Sequence, residues 1–138
     1  MSYGTQVALK EPFGEAVERV RAALAGQGFG VLTEIDVTTT LKAKLGEQIE
    51  DYTILGACNP PFAHRALGID RSIGMLLPCN VVVRATAEGT IVEALDPQIM
   101  VTLTKRPELK PVADEVSRRL AAALAELTPG TASEDRHG

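Results

Sequence analysis

The two cysteines of this chain are each followed by an asparagine, as Cys58-Asn59 and Cys79-Asn80, and the sequence contains no other residue of either type. Thiols can act as nucleophiles, exchange with disulfides or bind soft metal ions, and an asparagine amide can orient a ligand through hydrogen bonds. Each pair also adjoins a proline, which restricts the backbone beside it. The pairs therefore predict two rigid polar corners that form a candidate ligand site.

The first pair stands where a strand is expected to end and a helix to begin. Proline disfavours a helical conformation in the residue before it, so Pro60 makes Asn59 the N-cap, with the Phe62 N–H as the target of its side chain. Cys58 then lies near the positive end of the helix dipole, which lowers a thiol pKa and favours thiolate. The alternative interpretation of Cys58 is a small buried hydrophobic residue that ends a central strand.

The second pair stands at the start of a strand, where Pro78 can occupy the first position without losing a ladder hydrogen bond. Alternation predicts Cys79 on the same face as Val81, and Asn80 on the opposite face. The structural alternative for Asn80 is a hydrogen bond to the neighbouring turn. Whether the two corners meet depends on the connector of residues 70–77, and the sequence leaves this open.

His64 and Glu34 are further candidates for a ligand contact. Together with Cys58 and Cys79, His64 could complete a zinc or iron site, although the spacing matches no known zinc finger, and a solvated histidine is the alternative. Glu34 shares a strand face with Asp36 and could serve in acid–base chemistry, but alternating acids also mark the solvated face of a strand. The sequence has no nucleophile elbow, Cys-x-x-Cys pair or phosphate loop, so no catalytic residue, no metal site and no cofactor is assigned.

Hydrophobic periodicity and turn residues predict the elements that position these corners. Strands are predicted at residues 4–9, 31–37, 52–58, 80–86 and 90–95, and helices at residues 12–26, 39–45, 60–67, 97–101 and 111–127. In the second strand Val31, Thr33 and Ile35 are predicted to face the core, and the third strand is predicted to be covered on both faces. This order predicts an α+β fold, with a small mixed, largely antiparallel sheet of four to five strands and helices packed on it.

Length and composition restrict the possibilities further. The 138 residues, 45% hydrophobic and 23% charged, fit a single domain over residues 1–127, followed by a polar tail at 128–138 that is expected to be disordered. The net charge of −4 disfavours nucleic-acid binding, and no apolar run is long enough to span a membrane. The N-terminus lacks the features of a secretory signal, so we expect a cytoplasmic, reducing location in which the cysteines stay thiols.

Longer blocks around the two corners resemble a known family. These blocks are VLTEIDV at residues 31–37, YTILGACNP at residues 52–60 and GMLLPCNVVV at residues 74–83. They resemble the bacterial and archaeal domain-of-unknown-function family 302, from about residue 3 to residue 127. The resemblance implies a compact α+β domain that forms a homodimer, and it supplies no activity, cofactor or substrate.

Three functions are compatible with the sequence. The first is a non-enzymatic binding module that holds a small polar or anionic ligand near the two corners. Its predicted contacts are Cys58, Asn59, Pro60, His64, Cys79, Asn80 and Glu34. The second is thiol-redox or metal-binding activity at Cys58 and Cys79, and the third is a structural domain that self-associates. No nucleic-acid or membrane partner is expected, and enzymatic activity is left open, with a non-enzymatic role favoured.

Overall fold

The computed structural model describes residues 3–127 and has an α+β fold. The strands of the described residues are β1 (Gly4–Leu9), β2 (Gly30–Asp36), β3 (Tyr52–Cys58), β4 (Cys79–Thr86) and β5 (Gly89–Leu95). They form one five-stranded sheet in the order β1-β5-β4-β3-β2, in which every neighbouring pair is antiparallel. The predicted α+β class is confirmed, and the sheet is purely antiparallel rather than mixed. The tail predicted at residues 128–138 lies outside the described residues.

The helices lie mainly on one side of this sheet. They are α1 (Phe13–Gly26), α2 (Val37–Leu45), α3 (Pro60–Ile69), α4 (Ile99–Thr104) and α5 (Lys110–Leu127), with 3-10 turns at Arg71–Leu76 and Pro107–Leu109. Helices α1 and α5 pack against each other and against one face of the sheet. Among the helices of residues 3–127, none combines the length and the apolar character that a membrane crossing requires.

The core lies between this helix pair and the central strands. Val81, Val83 and Val92 are almost completely buried, while their neighbours on the other face of β4 and β5 are only half-buried. Helix α5 contributes the predicted apolar stripe, formed by Val112, Val116, Leu120, Leu124 and Leu127. Full burial of a side chain of this size stabilises the fold by about 1.5–3 kcal/mol, so the alternation of β4 and β5 determines which face the helices cover.

The face predicted for β2 is confirmed for Val31, which packs against the core, and is wrong from Thr33 onward, because the strand contains a bulge. Its register against β3 shifts between Val31 and Thr33, and a one-residue bulge turns the following side chains to the opposite face. Thr33 therefore pairs with Gly56, and Ile35 is 49% exposed on the face away from α1 and α5. We call this uncovered side of the sheet the open face.

The open face is a continuous surface across all five strands. One row of paired residues consists of Ile35, Ile54, Val82, Glu93 and Gln6, and the next consists of Tyr52, Arg84, Ile91 and Ala8. On this face Tyr52 and Ile54 of β3 are only half-buried, whereas Leu55 and Ala57 on the other face are fully buried, so the prediction that both faces of β3 are covered is wrong. Helix α2, which follows β2, buries none of its side chains.

Gly56 lies in β3 opposite the bulge of β2, and its replacement tests the close packing of the two strands at this point. A Cβ atom at Gly56 would overlap the Thr33 side chain and lie 2.8 Å from Cγ of Pro78. We expect Gly56→Ala to lower the free energy of unfolding by about 1–3 kcal/mol, the usual cost of overpacking, as measured by urea denaturation. The matched control is Gly68→Ala in α3, where a Cβ atom has no neighbour within 4 Å and alanine favours the helix. A Gly56→Ala variant as stable as the native protein would contradict this packing.

Candidate functional site

The two Cys-Asn corners adjoin at one end of the sheet. Strands β3 and β4 are antiparallel with Ala57 opposite Cys79, and Cys58 directly follows Ala57. The connector that the sequence left open includes the 3-10 turn at Arg71–Leu76, and it returns the chain to the edge where β3 ends. Both cysteines are free thiols, and both are half-buried.

Both cysteines line a small pocket, which we call the thiol pocket. Its walls include Cys58, Asn59, Phe62, Ala63, Cys79 and Met100, and the other lining residues are all apolar. The volume is about 20 Å³, which leaves room for a single water-sized group. The pocket is therefore an apolar site with two thiols and one amide as its polar features.

Asn59 occupies the N-cap position of α3, but its side chain does not cap the helix as predicted. The Phe62 N–H donates to the Asn59 backbone carbonyl instead, at 3.0 Å. The Asn59 Nδ2 donates to the carbonyl oxygen of Gln27, at 3.1 Å, in the turn that follows α1. Asn59 is 7% exposed, and none of the described residues donates a hydrogen bond to its Oδ1. The amide thus joins two distant segments, while its oxygen accepts no hydrogen bond from residues 3–127.

The first turn of α3 has no free backbone donor for a ligand at Pro60. Pro60 and Pro61 have no N–H, and the amides of Phe62 and Ala63 both donate to the Asn59 carbonyl. Pro60 is exposed and does not line the thiol pocket. The ligand contact predicted for Pro60 stays a prediction, and a ligand there would find no backbone N–H to bind.

The environment of Cys79 keeps its thiol protonated. Burial, with a smaller contribution from the nearby Cys58, raises the pKa of the Cys79 thiol to about 11. Because the thiolate is the nucleophilic form of cysteine, Cys79 is poorly suited to nucleophilic chemistry at neutral pH. The thiolate character expected of Cys58 stays a prediction.

Asn80 lies on the open face, away from the thiol pocket. It pairs with Gly56 and is exposed, as the alternation along its strand predicts. It borders a separate depression of about 220 Å³, together with Tyr52, Val82 and Glu93. The repeated Cys-Asn pair therefore places its two amides on opposite faces of the sheet.

His64 and Glu34 lie outside the thiol pocket. His64 is exposed on α3, and Glu34 forms an ion pair with Arg21 of α1. Asp36 caps α2 by accepting a hydrogen bond from the Thr39 N–H at 2.9 Å, which lowers the pKa of its carboxyl group. Within residues 3–127, no three His, Cys, Asp or Glu side chains are grouped so that they could hold a metal ion, so the alternative of a zinc or iron site with His64 is not formed.

One pocket-lining side chain, Met100, and two arginines beside Phe62 were not predicted from the sequence. The guanidinium groups of Arg65 and Arg119 lie 5.9 and 5.6 Å from the centroid of the Phe62 ring. Met100, from α4, is 5% exposed and completes the pocket wall. The helical spacing between Phe62 and Arg65 could have indicated the first contact, whereas Arg119 and Met100 come from remote segments and leave no local signal.

Comparison with known proteins identifies a family for this site and fold. The family described as "Domain of unknown function DUF302" matches residues 5–127. The crystal structure of an uncharacterised conserved DUF302 protein from Bacillus stearothermophilus superposes with a TM-score of 0.86. That protein is 31% identical, and the match covers 92% of this chain and 99% of that chain. None of the curated proteins matches this chain. The family resemblance inferred from the sequence is confirmed, and the matching descriptions name no activity.

The raised pKa of Cys79 predicts slow alkylation in the native protein. At about pH 8, a thiol with a pKa of about 11 is ionised roughly a hundred-fold less than an unperturbed thiol. We expect iodoacetamide to label Cys79 that much more slowly in folded than in urea-unfolded Cys58→Ser protein, as measured by mass spectrometry. The difference should shrink as the pH rises toward 11, because the folded protein then forms the thiolate. Equal labelling rates in the two states at about pH 8 would contradict the burial of this thiol.

Proposed function

The chain belongs to the DUF302 family, a family of unknown function, and we propose that it is a non-enzymatic binding protein for a small anion. The inner end of the ligand occupies the thiol pocket beside Asn59, and its anionic end lies at Phe62, near Arg65 and Arg119. Both cysteines are free thiols, which supports a reducing, cytoplasmic location for this activity.

The observation that carries this proposal is the free acceptor of Asn59. Most buried polar atoms in proteins have a hydrogen-bond partner, and a buried acceptor without one costs about 1–3 kcal/mol. Asn59 is 7% exposed, and its Nδ2 is held by the Gln27 carbonyl, which fixes the orientation of the amide. A ligand that donates a hydrogen bond to Oδ1 would remove this cost.

The size of the thiol pocket limits the group that reaches Asn59. A volume of about 20 Å³ accepts a single hydroxyl or amino group, so the rest of the ligand lies outside. The walls are otherwise apolar, and an additional polar group at the inner end would be buried without a partner. The inner end of the ligand is therefore one small hydrogen-bond donor.

The arginines around Phe62 supply the contact for the anionic end. Arg65 is exposed and has no ion-pair partner in residues 3–127, while Arg119 pairs with Glu115 at 3.1 Å. Guanidinium groups have a planar set of donors that matches a carboxylate. The ligand class that fits both ends is a small hydroxy acid or amino acid anion.

Titration of isotope-labelled protein with glycolate tests this proposal. Glycolate carries a hydroxyl beside a carboxylate, whereas acetate lacks the hydroxyl and ethylene glycol lacks the charge. We expect glycolate to shift the NMR signals of the Asn59 side-chain amide and of the Phe62 and Ala63 amides. Acetate should bind roughly three- to ten-fold more weakly, because it loses one hydrogen bond.

A pocket-filling variant provides the control for this titration. Ala63→Leu places a larger side chain in the thiol pocket without altering Asn59 or the arginines, and it should abolish the glycolate shifts. Ala25→Leu, at an exposed position of α1, is the matched control and should bind like the native protein. The proposal is overturned if glycolate shifts the Asn59 amide no more than acetate does, or if the two variants bind equally.

A second function, self-association, is favoured by the exposure of α2 and the open face. Helices of globular domains normally bury an apolar side, but α2 buries no residue. Leu32, Ile35 and Leu45 are 67%, 49% and 68% exposed. The charges in the middle of the open face, Arg84 and Glu93, already pair at 2.9 Å, so covering them would leave no charge alone. We propose that a second copy of the chain covers this surface.

The charges around α2 suit a contact between two identical copies. Lys42 and Lys44 lie in the last turn of α2, and Glu47 and Glu50 follow in the next segment. All four are exposed, and none takes part in an ion pair within residues 3–127. In a two-fold dimer each contact occurs twice, so the basic end of one helix can meet the acidic segment of the partner.

Sedimentation velocity with charged substitutions tests this interface. Ile35→Glu should raise the dimer dissociation constant about ten- to a hundred-fold, because Ile35 is 49% exposed in one copy and each copy loses about half of the 1.5–3 kcal/mol of full burial. Leu103→Glu is the matched control, since Leu103 is 62% exposed on α4, and it should leave the dissociation constant unchanged. A native protein that stays monomeric throughout the micromolar range would exclude this interface, as would equal effects of the two substitutions.

A further inference from the structure

The thiol pocket is lined by three sulfur-bearing side chains, which the binding of a small anion does not use. Both cysteines and one of the three methionines, Met100, border it. Cys58 ends β3, Cys79 begins β4, and Met100 comes from α4. Three separate elements of the fold therefore bring sulfur to one small space.

The pocket that these three residues line is not filled by protein. Methionine commonly fills irregular gaps in a core, and Met100 is 5% exposed. If Met100 served only to fill the core, we would expect no space beside it. A volume of about 20 Å³ remains instead. This space has room for one small ion or group, and two cysteines and one methionine line it.

We propose that the thiol pocket binds one copper(I) ion through the sulfur atoms of Cys58, Cys79 and Met100. Thiolate and thioether ligands favour Cu(I) over harder cations. On binding, each thiol loses its proton to solvent and each sulfur donates an electron pair to the ion. The copper stays in the +1 state throughout, so no oxidant or reductant is consumed. One Cu(I) and two thiolates together carry a single negative charge.

The other lining residues favour a soft monovalent ion over zinc. Zinc sites in proteins are usually completed by four nitrogen, sulfur or carboxylate ligands. Apart from the three sulfur atoms, the thiol pocket offers apolar side chains and the Asn59 amide, and it contains no His, Asp or Glu. The three sulfur ligands therefore suit Cu(I) and leave a zinc ion incompletely coordinated.

The charge of the complex also fits its surroundings. The guanidinium groups of Arg65 and Arg119 lie within 6 Å of the Phe62 ring, which forms part of the pocket wall. Positive charge near a metal–thiolate centre with a net negative charge lowers the electrostatic cost of burying it. This inference goes beyond the binding of a small anion, because it depends on the sulfur atoms and not on the free acceptor of Asn59.

Anaerobic titration of the reduced full-length protein with Cu(I), in competition with bicinchoninate, tests this inference. We expect one Cu(I) per chain, and X-ray absorption should show a first coordination shell made only of sulfur. Met100→Leu keeps the side-chain volume but removes the thioether. It should weaken binding ten-fold or more, since even changes outside the first shell of a metal site cost about that much.

Met75→Leu is the matched control, because Met75 is 84% exposed and lies outside the pocket. It should bind Cu(I) like the native protein, and circular dichroism should show that both variants are folded. The inference is overturned by less than one Cu(I) per chain, by nitrogen or oxygen in the first shell, or by equal affinities of Met100→Leu and Met75→Leu. The X-ray absorption measurement uses the native protein, so a misfolded variant does not affect it.

The two proposals for the pocket fail separately. The glycolate titration uses metal-free protein and reports on the Asn59 amide, whereas the copper titration reports on sulfur coordination. If the protein binds glycolate but not Cu(I), the small-anion proposal stands and the copper site is excluded. If it binds Cu(I) but not glycolate, the copper site stands and the small-anion proposal is excluded.

Discussion

The antiparallel register of β3 against β4 is the constraint on which the site depends. Because Ala57 lies opposite Cys79, the end of one strand meets the start of the next, and both cysteines line one pocket. The buried side chains of Leu55 and Val81 hold this register, since a slip of one residue would turn each of them to the open face. The same alternation that directs Cys79 toward the helices directs Asn80 away from them. One ladder thus brings the two cysteines to one pocket and separates the two amides.

Local sequence signals predicted most of the strands, the helices and their buried faces. They failed where a contact between residues distant in sequence determines which face is buried. Periodicity alone predicted the alternation of β4 and β5 and the apolar stripe of α5, because the buried side of each element is visible in its own sequence. The face of β2 could not be predicted in this way. Its bulge is defined by pairing with β3, and the crossing of Thr33 over Gly56 fits only because Gly56 has no side chain. The residues of β2 before and after the bulge follow the pattern of one regular strand, so the sequence alone does not indicate the bulge.

Asn59 marks the limit of sequence reasoning at the site itself. Pro60 fixes the position of Asn59 before the helix, and that part of the prediction agrees with the structure. The hydrogen-bond partner of the Asn59 side chain is determined by other segments. The Asn59 backbone carbonyl already accepts from the Phe62 N–H, and the turn after α1 offers the Gln27 carbonyl. Gly28 allows this approach: its φ is 87°, and a Cβ atom there would lie 3.2 Å from the Asn59 Nδ2. A turn distant in sequence therefore determines which polar atom of Asn59 has no partner among the described residues.

The burial of the thiols favours ion binding over nucleophilic chemistry. A cysteine nucleophile needs a thiolate at neutral pH, and the apolar walls that raise the pKa of Cys79 to about 11 oppose a bare negative charge. A bound metal ion changes this balance, because it puts positive charge directly on the sulfur in place of the proton. The walls then exclude water from the ion and offer it no hard ligand except one amide. The same lining that makes Cys79 a poor nucleophile therefore supports the proposed site for an ion that sulfur alone can hold.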